Sequence, residues 1–372
     1  MQRSISLTKC AIAMAALLST ANGFLLTSYQ LTIARQDPIL YPPGSDPKAG
    51  HVHNVVGSAN FGSSGTYDEL NSASCTSIDN TADKSAYWQV AIYSHLPNGS
   101  FVPLPMTEAR VYYLCDHGPN VKPPPKGLRI IAGDAKARDP VGNATKGTQW
   151  ATLGCQMGML RNSTNQVQER GFPKNNLTCA DFLLASVTFP DCWDGERHDS
   201  SDHFSHMAFT SGGKCPPTHP VRIPSIVLEW GYNSKGFDPA SLVLASGDTT
   251  GYGLHADLIM GWDIDILTKA IADPTCIHRE NNFGSGAQCT TLAATHNKNA
   301  AAMCKLATKV TQESVGLTTP ITQLPGCNPL SNGNGSPTSC SAAQTNAIST
   351  NLVDPTYVVF GTMIGPNVGI GK

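Results

Sequence analysis

Charged side chains are scarce in these 372 residues, only 14% of the chain, and the two signs nearly cancel to a net charge of −2. That balance removes the electrostatic basis for binding nucleic acid or an anionic membrane surface. No C-x-x-C pair occurs among the twelve cysteines, so zinc-knuckle and thioredoxin-like chemistry lacks its usual ligands. There is no Gly-x-Ser-x-Gly elbow, no dinucleotide fingerprint and no P-loop, which sets aside serine-esterase, Rossmann and nucleotide-binding functions. Past the N-terminus no segment has the apolar length to span a bilayer, and no internal repeat stands out.

Glycine (34) and proline (26) are plentiful instead, a balance that suits a loop-rich, β-dominated extracellular protein. The length allows one large domain or two smaller ones. Arg3 and Lys9 precede an apolar run from Cys10 to Leu18, and small residues follow, so residues 1–23 read as a secretory signal cut near Ala21 or Gly23. No membrane association is expected after cleavage. Removing Cys10 leaves eleven of the twelve cysteines, and disulfides are their expected state in an oxidising compartment. An odd count leaves at least one thiol outside the intrachain pairs. Sequons at Asn98, Asn143, Asn162, Asn176 and Asn334 agree with export and glycosylation.

Short β-branched and aromatic runs recur along the chain and predict strands: Ser85–Tyr93, Arg110–Cys115, Leu128–Gly133, Trp150–Cys155, Leu183–Phe189 and Ser225–Tyr232. Residues 60–80 and the stretch from Cys155 to Cys179 read as loops, and Asp116-His117-Gly118 as a turn. The expected architecture is mainly β: an antiparallel β-sandwich or jelly-roll-like core over residues 34–275. Ile264–Ala272 has helical spacing stopped by Asp273-Pro274, and Thr290–Gln312 is Ala-rich and also helical in character. Residues 276–372 are expected to form a helical, low-complexity tail clipped by cysteines, with the part from Pro320 peripheral to any site.

Three places concentrate chemistry. Gly50-His-Val-His-Asn-Val-Val-Gly57 alternates as a strand, which puts His51 and His53 on one face, the spacing that presents two imidazoles to one metal or one substrate. The segment from Arg197 to Met207 holds His198, Asp199, Asp202, His203 and His206, with His219 held nearby between prolines. Densest is Gly247–Asp263, which carries Asp248, Tyr252, His255, Asp257 and Trp262 among four glycines. Such a mixture is not expected of a core strand. Asp248, Tyr252, His255, Asp257 and His203 are the catalytic candidates by acid/base chemistry. Trp193, His219 and Trp262 are candidates for holding substrate, and His51, His53 and His206 for holding a metal. Imidazoles suit copper or zinc, while an Asp-rich subset suits calcium.

The ordered succession Asp37-Pro-Ile, Gly50-His-Val-His, Lys84-Ser-Ala-Tyr-Trp, Gly127-Leu-Arg-Ile-Ile-Ala-Gly-Asp134, Cys192-Trp-Asp-Gly, Asp202-His-Phe-Ser-His-Met, Cys215-Pro-Pro-Thr-His-Pro-Val-Arg and Gly247-Asp-Thr-Thr-Gly-Tyr-Gly-Leu-His-Ala-Asp closely resembles the secreted fungal family called domain of unknown function nineteen-ninety-six. The resemblance covers about residues 34–275. It implies a secreted fungal protein and carries no assigned reaction. The composition and motifs then support an extracellular glycan-active enzyme, a polysaccharide hydrolase or lyase. The alternatives are a non-catalytic protein binding a cell-wall polysaccharide or other carbohydrate, and an extracellular metal-binding protein. Clustered, perturbed titratable groups would favour catalysis; rows of exposed aromatics would favour binding.

Overall fold

The computed structural model describes residues 23–41, 50–62, 65–115, 120–141, 146–156, 166–173, 182–276, 284–333, 349 and 351–359. The signal segment, the Asp116–Gly118 turn and the sequons at Asn143, Asn162, Asn176 and Asn334 lie outside these residues. Among them no helix is long and apolar enough to cross a membrane.

The molecule is mainly β, as the alternation predicts. A six-stranded sheet runs in the order Tyr357–Val359, Gln30–Ala34, His53–Gly57, Ala86–Val90, His255–Ile259, Arg129–Gly133, with every pairing antiparallel. A seven-stranded sheet runs Gln166–Glu169, Ala151–Gln156, Phe182–Thr188, Ser225–Asn233, Met106–Leu114, Gly23–Ser28, Gly284–Ser285. One apolar cluster joins the two sheets. It takes Val56, Tyr87, Ile130, Ala132, Ala256 and Leu258 from the first and Phe24, Val111, Tyr113, Val187, Leu228 and Trp230 from the second. Asn54 Nδ2 reaches across it to donate to Tyr232 Oη at 3.0 Å.

A hydrogen-bonded chain crosses the same interior. Trp262 Nε1–H donates to the Tyr113 hydroxyl (3.0 Å), which lies 2.8 Å from that of Tyr87, and Tyr87 donates to Asp83 Oδ2 at 2.7 Å. Asp83 Oδ1 accepts from Ser85 N–H at 2.9 Å. All these side chains are buried, so every polar group in the chain must be answered by another.

Side chains alternate across a strand, so residues flanking the inward set on the six-stranded sheet point outward. Here that outer face is covered rather than wet. Ile39, Phe61 and Leu70 pack on it with Val55, Trp88 and Ile259. Leu70 belongs to a short helix, Tyr67–Ser72, capped by the Thr66 hydroxyl accepting from Glu69 N–H. That helix lies inside the stretch predicted as loop; its six residues are too few for an apolar period to be visible. Burial on both faces also explains why His53–Gly57 and His255–Ile259 are buried throughout.

Two further departures have local causes. The run Ser85–Tyr93 is two strands, because the backbone of Ala91 bonds to Val52 and Ala245 and passes the chain to a small sheet of Leu242–Leu244, Ile92–His95 and Phe101–Pro103. The Ala-rich stretch from Thr290 forms only Thr290–Ala293 and Lys298–Met303, since Asn297 caps the second helix with its side chain and cannot continue the first. Helix Ile264–Ala272 forms with the predicted bounds, and the Asp263 carboxylate caps it.

The C-terminal residues are woven into the sheets. Gly284–Ser285 extends the seven-stranded sheet and Tyr357–Val359 the six-stranded one. Glu313 pairs with buried Arg35 at 2.9 Å, and Cys304 is disulfide-bonded to Cys75. Cys192–Cys215 and Cys276–Cys289 are further disulfides, and Cys327 is disulfide-bonded as well. Such bonds fit an oxidising compartment.

Candidate functional site

Strand register brings distant residues onto the covered outer face of the six-stranded sheet. Asp257 lies opposite Trp88 on one side and Ile131 on the other, and Trp88 lies opposite Val55. His53 and His255 stand two residues along their strands from Val55 and Asp257, and so point the same way. His255 lies opposite Gly133, whose backbone is left-handed (φ 87°). A Cβ there would sit 2.4 Å from the Leu254 carbonyl oxygen and 2.9 Å from His255 Cβ, so glycine is what lets the histidine stand in the sheet.

His51, just ahead of its strand, completes the cluster. Its ring centroid is 4.5 Å from that of His53 and 4.9 Å from that of His255, and its Nε2 lies 2.9 Å from His255 Nε2. His255 Nδ1 is 2.8 Å from the Gly253 carbonyl, which can only accept. Nδ1 therefore carries the proton of the neutral ring, His255 Nε2 presents a lone pair, and His51 Nε2–H donates to it. Both ring nitrogens of His53 are buried without a partner, as are both carboxyl oxygens of Asp257. Asp37 brings a second carboxyl: donor atoms of Asp37, His53 and Asp257 all lie within 4.8 Å of one another. Its Oδ1 accepts from the N–H groups of Ile39 and Leu40, and the indole N–H of Trp88 acts on it without meeting full hydrogen-bond geometry.

Burial dominates the electrostatics. It pushes the Asp257 carboxyl well above the usual range, and the neighbouring Asp37 pushes it further. Burial also raises Asp37, against which the two backbone N–H groups and the charge of His203 act. His53 and His51 are held well below the ordinary imidazole range, first by burial; His51 and His255 then act on His53, and His255 and Arg138 on His51, while His255 is lowered by burial despite its bond to Gly253. Burial thus favours the uncharged form of all three imidazoles and the protonated form of Asp257. An unanswered buried polar group costs about 1–3 kcal/mol, and His53 and Asp257 carry four such atoms between them. His51, half-buried, connects the cluster to solvent.

The other candidates from the sequence take different places. Asp248 is fully buried and accepts from Thr250 N–H, the Thr250 hydroxyl and Gly253 N–H. It shapes the loop that delivers the Gly253 carbonyl to His255 and does not join the cluster. His203 runs along the sheet edge, its carbonyl accepting from Ile131 N–H, with its Nδ1 on Asp199 at 2.8 Å. It acts on the cluster only through its charge on Asp37. His206 is fully buried and bonds to the Ser200 hydroxyl; it lies outside the imidazole group, where His255 takes the place expected for it. His219 is engaged near the surface by Thr218 and the Ser205 carbonyl. Trp193 donates to the Arg197 carbonyl, and Tyr252 packs beneath Arg170. Trp262 is fully buried in the inter-sheet network, so neither ring face can receive a sugar.

Asp37 escaped notice as a site residue because its Pro-rich surroundings read as a surface segment. Only its place at the head of the ordered motifs marked it. Against known proteins, a family model described as Domain of unknown function (DUF1996) matches residues 37–262, a span that contains all five cluster residues. No curated protein and no solved structure matches the chain.

Proposed function

The chain belongs to the DUF1996 family, and from that premise we propose that it is a secreted enzyme acting on polysaccharides by hydrolysis or β-elimination, with its centre at Asp37, His51, His53, His255 and Asp257. One observation carries the reading: five acid/base side chains are gathered on one sheet face, and two of them, His53 and Asp257, have no structural bond to explain them. Folds seldom retain such groups without use, and clefts of perturbed titratable groups mark active sites. A protonated Asp257 supplies a general acid, and His255, with its Nε2 lone pair fixed by the Gly253 bond, supplies a base through His51. The Asp37 and Asp257 oxygens approach within 4.8 Å, nearer than the roughly 6.5–9.5 Å that inverting hydrolysis needs for its water. Retention or elimination is the chemistry this spacing suits. The disulfides support secretion, and the wall polysaccharides are the substrates such a setting offers.

A purely carbohydrate-binding role has less support. Tyr41 is the single aromatic among the exposed large apolar residues described, so these residues form no row of exposed aromatics for stacking. The test is incubation of the full chain with fungal and plant wall polysaccharides, reading reducing ends and unsaturated products. Asp257→Asn and His255→Ala should each lower product formation by about 100-fold or more. Activity that survives Asp257→Asn, or no product from any wall polymer, refutes the assignment.

A further inference from the structure

We propose that His51, His53 and His255 bind one divalent ion of the zinc or copper class, with the Asp37–Asp257 carboxyl pair providing the balancing negative charge. The inference goes beyond the enzyme reading and holds whether or not the chain is catalytic.

One ring nitrogen from each histidine lies within 4.8 Å of the others. A tetrahedral zinc ion with bonds of about 2.0–2.1 Å holds its nitrogen ligands roughly 3.3 Å apart. The observed 2.9 Å between His51 Nε2 and His255 Nε2 needs to open by only a few tenths of an ångström. His255 already has the arrangement of a ligating histidine: its outer Nδ1–H is fixed on a backbone carbonyl, and its inner lone pair faces His51 Nε2, whose proton a metal ion would replace. His53 is only 1% exposed, with neither nitrogen answered, and stands in both the imidazole group and the carboxyl group. Asp257 is fully buried with both oxygens unanswered. The Asp37 and Asp257 carboxyls, gathered with His53 within 4.8 Å, are two acids to match the two charges of a dication.

The donor set also selects the ion. Three imidazoles suit zinc or copper, whereas calcium takes six to eight oxygens and would find two carboxyls. A second cluster, Asp273 with Cys276 and Cys289, carries no such site because its two sulfurs are joined in a disulfide.

The test reads binding alone, so its outcome is separate from that of the polysaccharide assay. The full chain, stripped with dipicolinate, is titrated calorimetrically with zinc, copper and calcium salts, and protein purified without chelator is analysed for metals. Expected are one equivalent of zinc or copper per chain and no calcium. His53→Asn should weaken binding by at least about 100-fold. His51→Asn, at the half-buried rim of the cluster, should do so too with its thermal melt recorded alongside, while His198→Asn, on the exposed loop, should leave binding unchanged. Failure of zinc and copper to bind at one equivalent, or wild-type affinity in both His51→Asn and His53→Asn, overturns the proposal.

Discussion

Asp83 offers a quantitative check on the buried network. It is fully buried, and burial raises its carboxyl from 3.8 to about 6, although Ser85 and Tyr87 both bond to it. A tenfold change in proton affinity is worth about 1.4 kcal/mol, so the proton held by the folded state amounts to about 3 kcal/mol at most. The sign follows from proton counts. Between about pH 4 and 6 the folded chain binds the Asp83 proton and the unfolded chain has lost it, so stability falls as pH rises. The contribution is whole below about pH 4 and gone above about pH 6. Asp83→Asn does not titrate. Its amide oxygen can still accept from Ser85, and the Tyr87 hydroxyl can turn to Tyr113, so any packing cost is constant with pH. Urea denaturation of both proteins at intervals from about pH 4 to 7.5 cancels in the difference the titrating groups that Asp83 does not influence; Asp79, which Asp83 helps to raise, shifts down in the variant and adds to the same trend. The variant should gain on wild type by up to about 3 kcal/mol across that range, or roughly 6 °C in Tm at about 2 °C per kcal/mol. A difference that stays flat, or that falls with pH, would show that Asp83 is ionised in the fold and would refute burial as the dominant influence.

Two further perturbations probe the scaffold around the cluster. Gly133→Ala places a Cβ against Leu254 and His255 in a left-handed backbone. It should cost at least about 1–3 kcal/mol from the backbone alone, read by thermal melting; an unchanged Tm would remove the glycine from the account of how His255 is seated. Asp248→Ala leaves the Thr250 and Gly253 N–H groups unanswered at about 1–3 kcal/mol each. Faster amide exchange at Gly253 should accompany the loss, and a change under about 0.5 kcal/mol would place the loop's order elsewhere.

Much of the fold was legible because strands announce themselves in β-branched and aromatic runs, and helix Ile264–Ala272 in its spacing and its Asp-Pro stop. The His-x-His pair and the Gly247–Asp263 stretch were legible as chemistry. The latter nonetheless departs from expectation in one respect: five of its residues, His255–Ile259, are a central core strand. A polar mixture is compatible with a strand buried on both faces when its outward residues meet other polar groups under loops, and no local pattern reveals such a roof. Trp88 meets Asp257 only through strand register, and Asp37 only through the path of a non-strand segment distant in the chain. His206 and Trp262 failed as candidates for the opposite reason. Their residue types suit ligand chemistry, but the folded chain spends them on Ser200 and Tyr113.

The weaving of both chain ends into the sheets bears on where this unit can be divided. The family match stops at residue 262, yet Gly23–Ser28, Gln30–Ala34, Gly284–Ser285 and Tyr357–Val359 all lie outside it. A fragment trimmed to the matched span would strip the neighbours from the His53–Gly57 strand and from Met106–Leu114, baring the N–H and C=O groups of each. Such unpaired edges are templates for association between copies. The span that sequence comparison recognises and the span that folds are therefore different lengths of chain, and expression should follow the second.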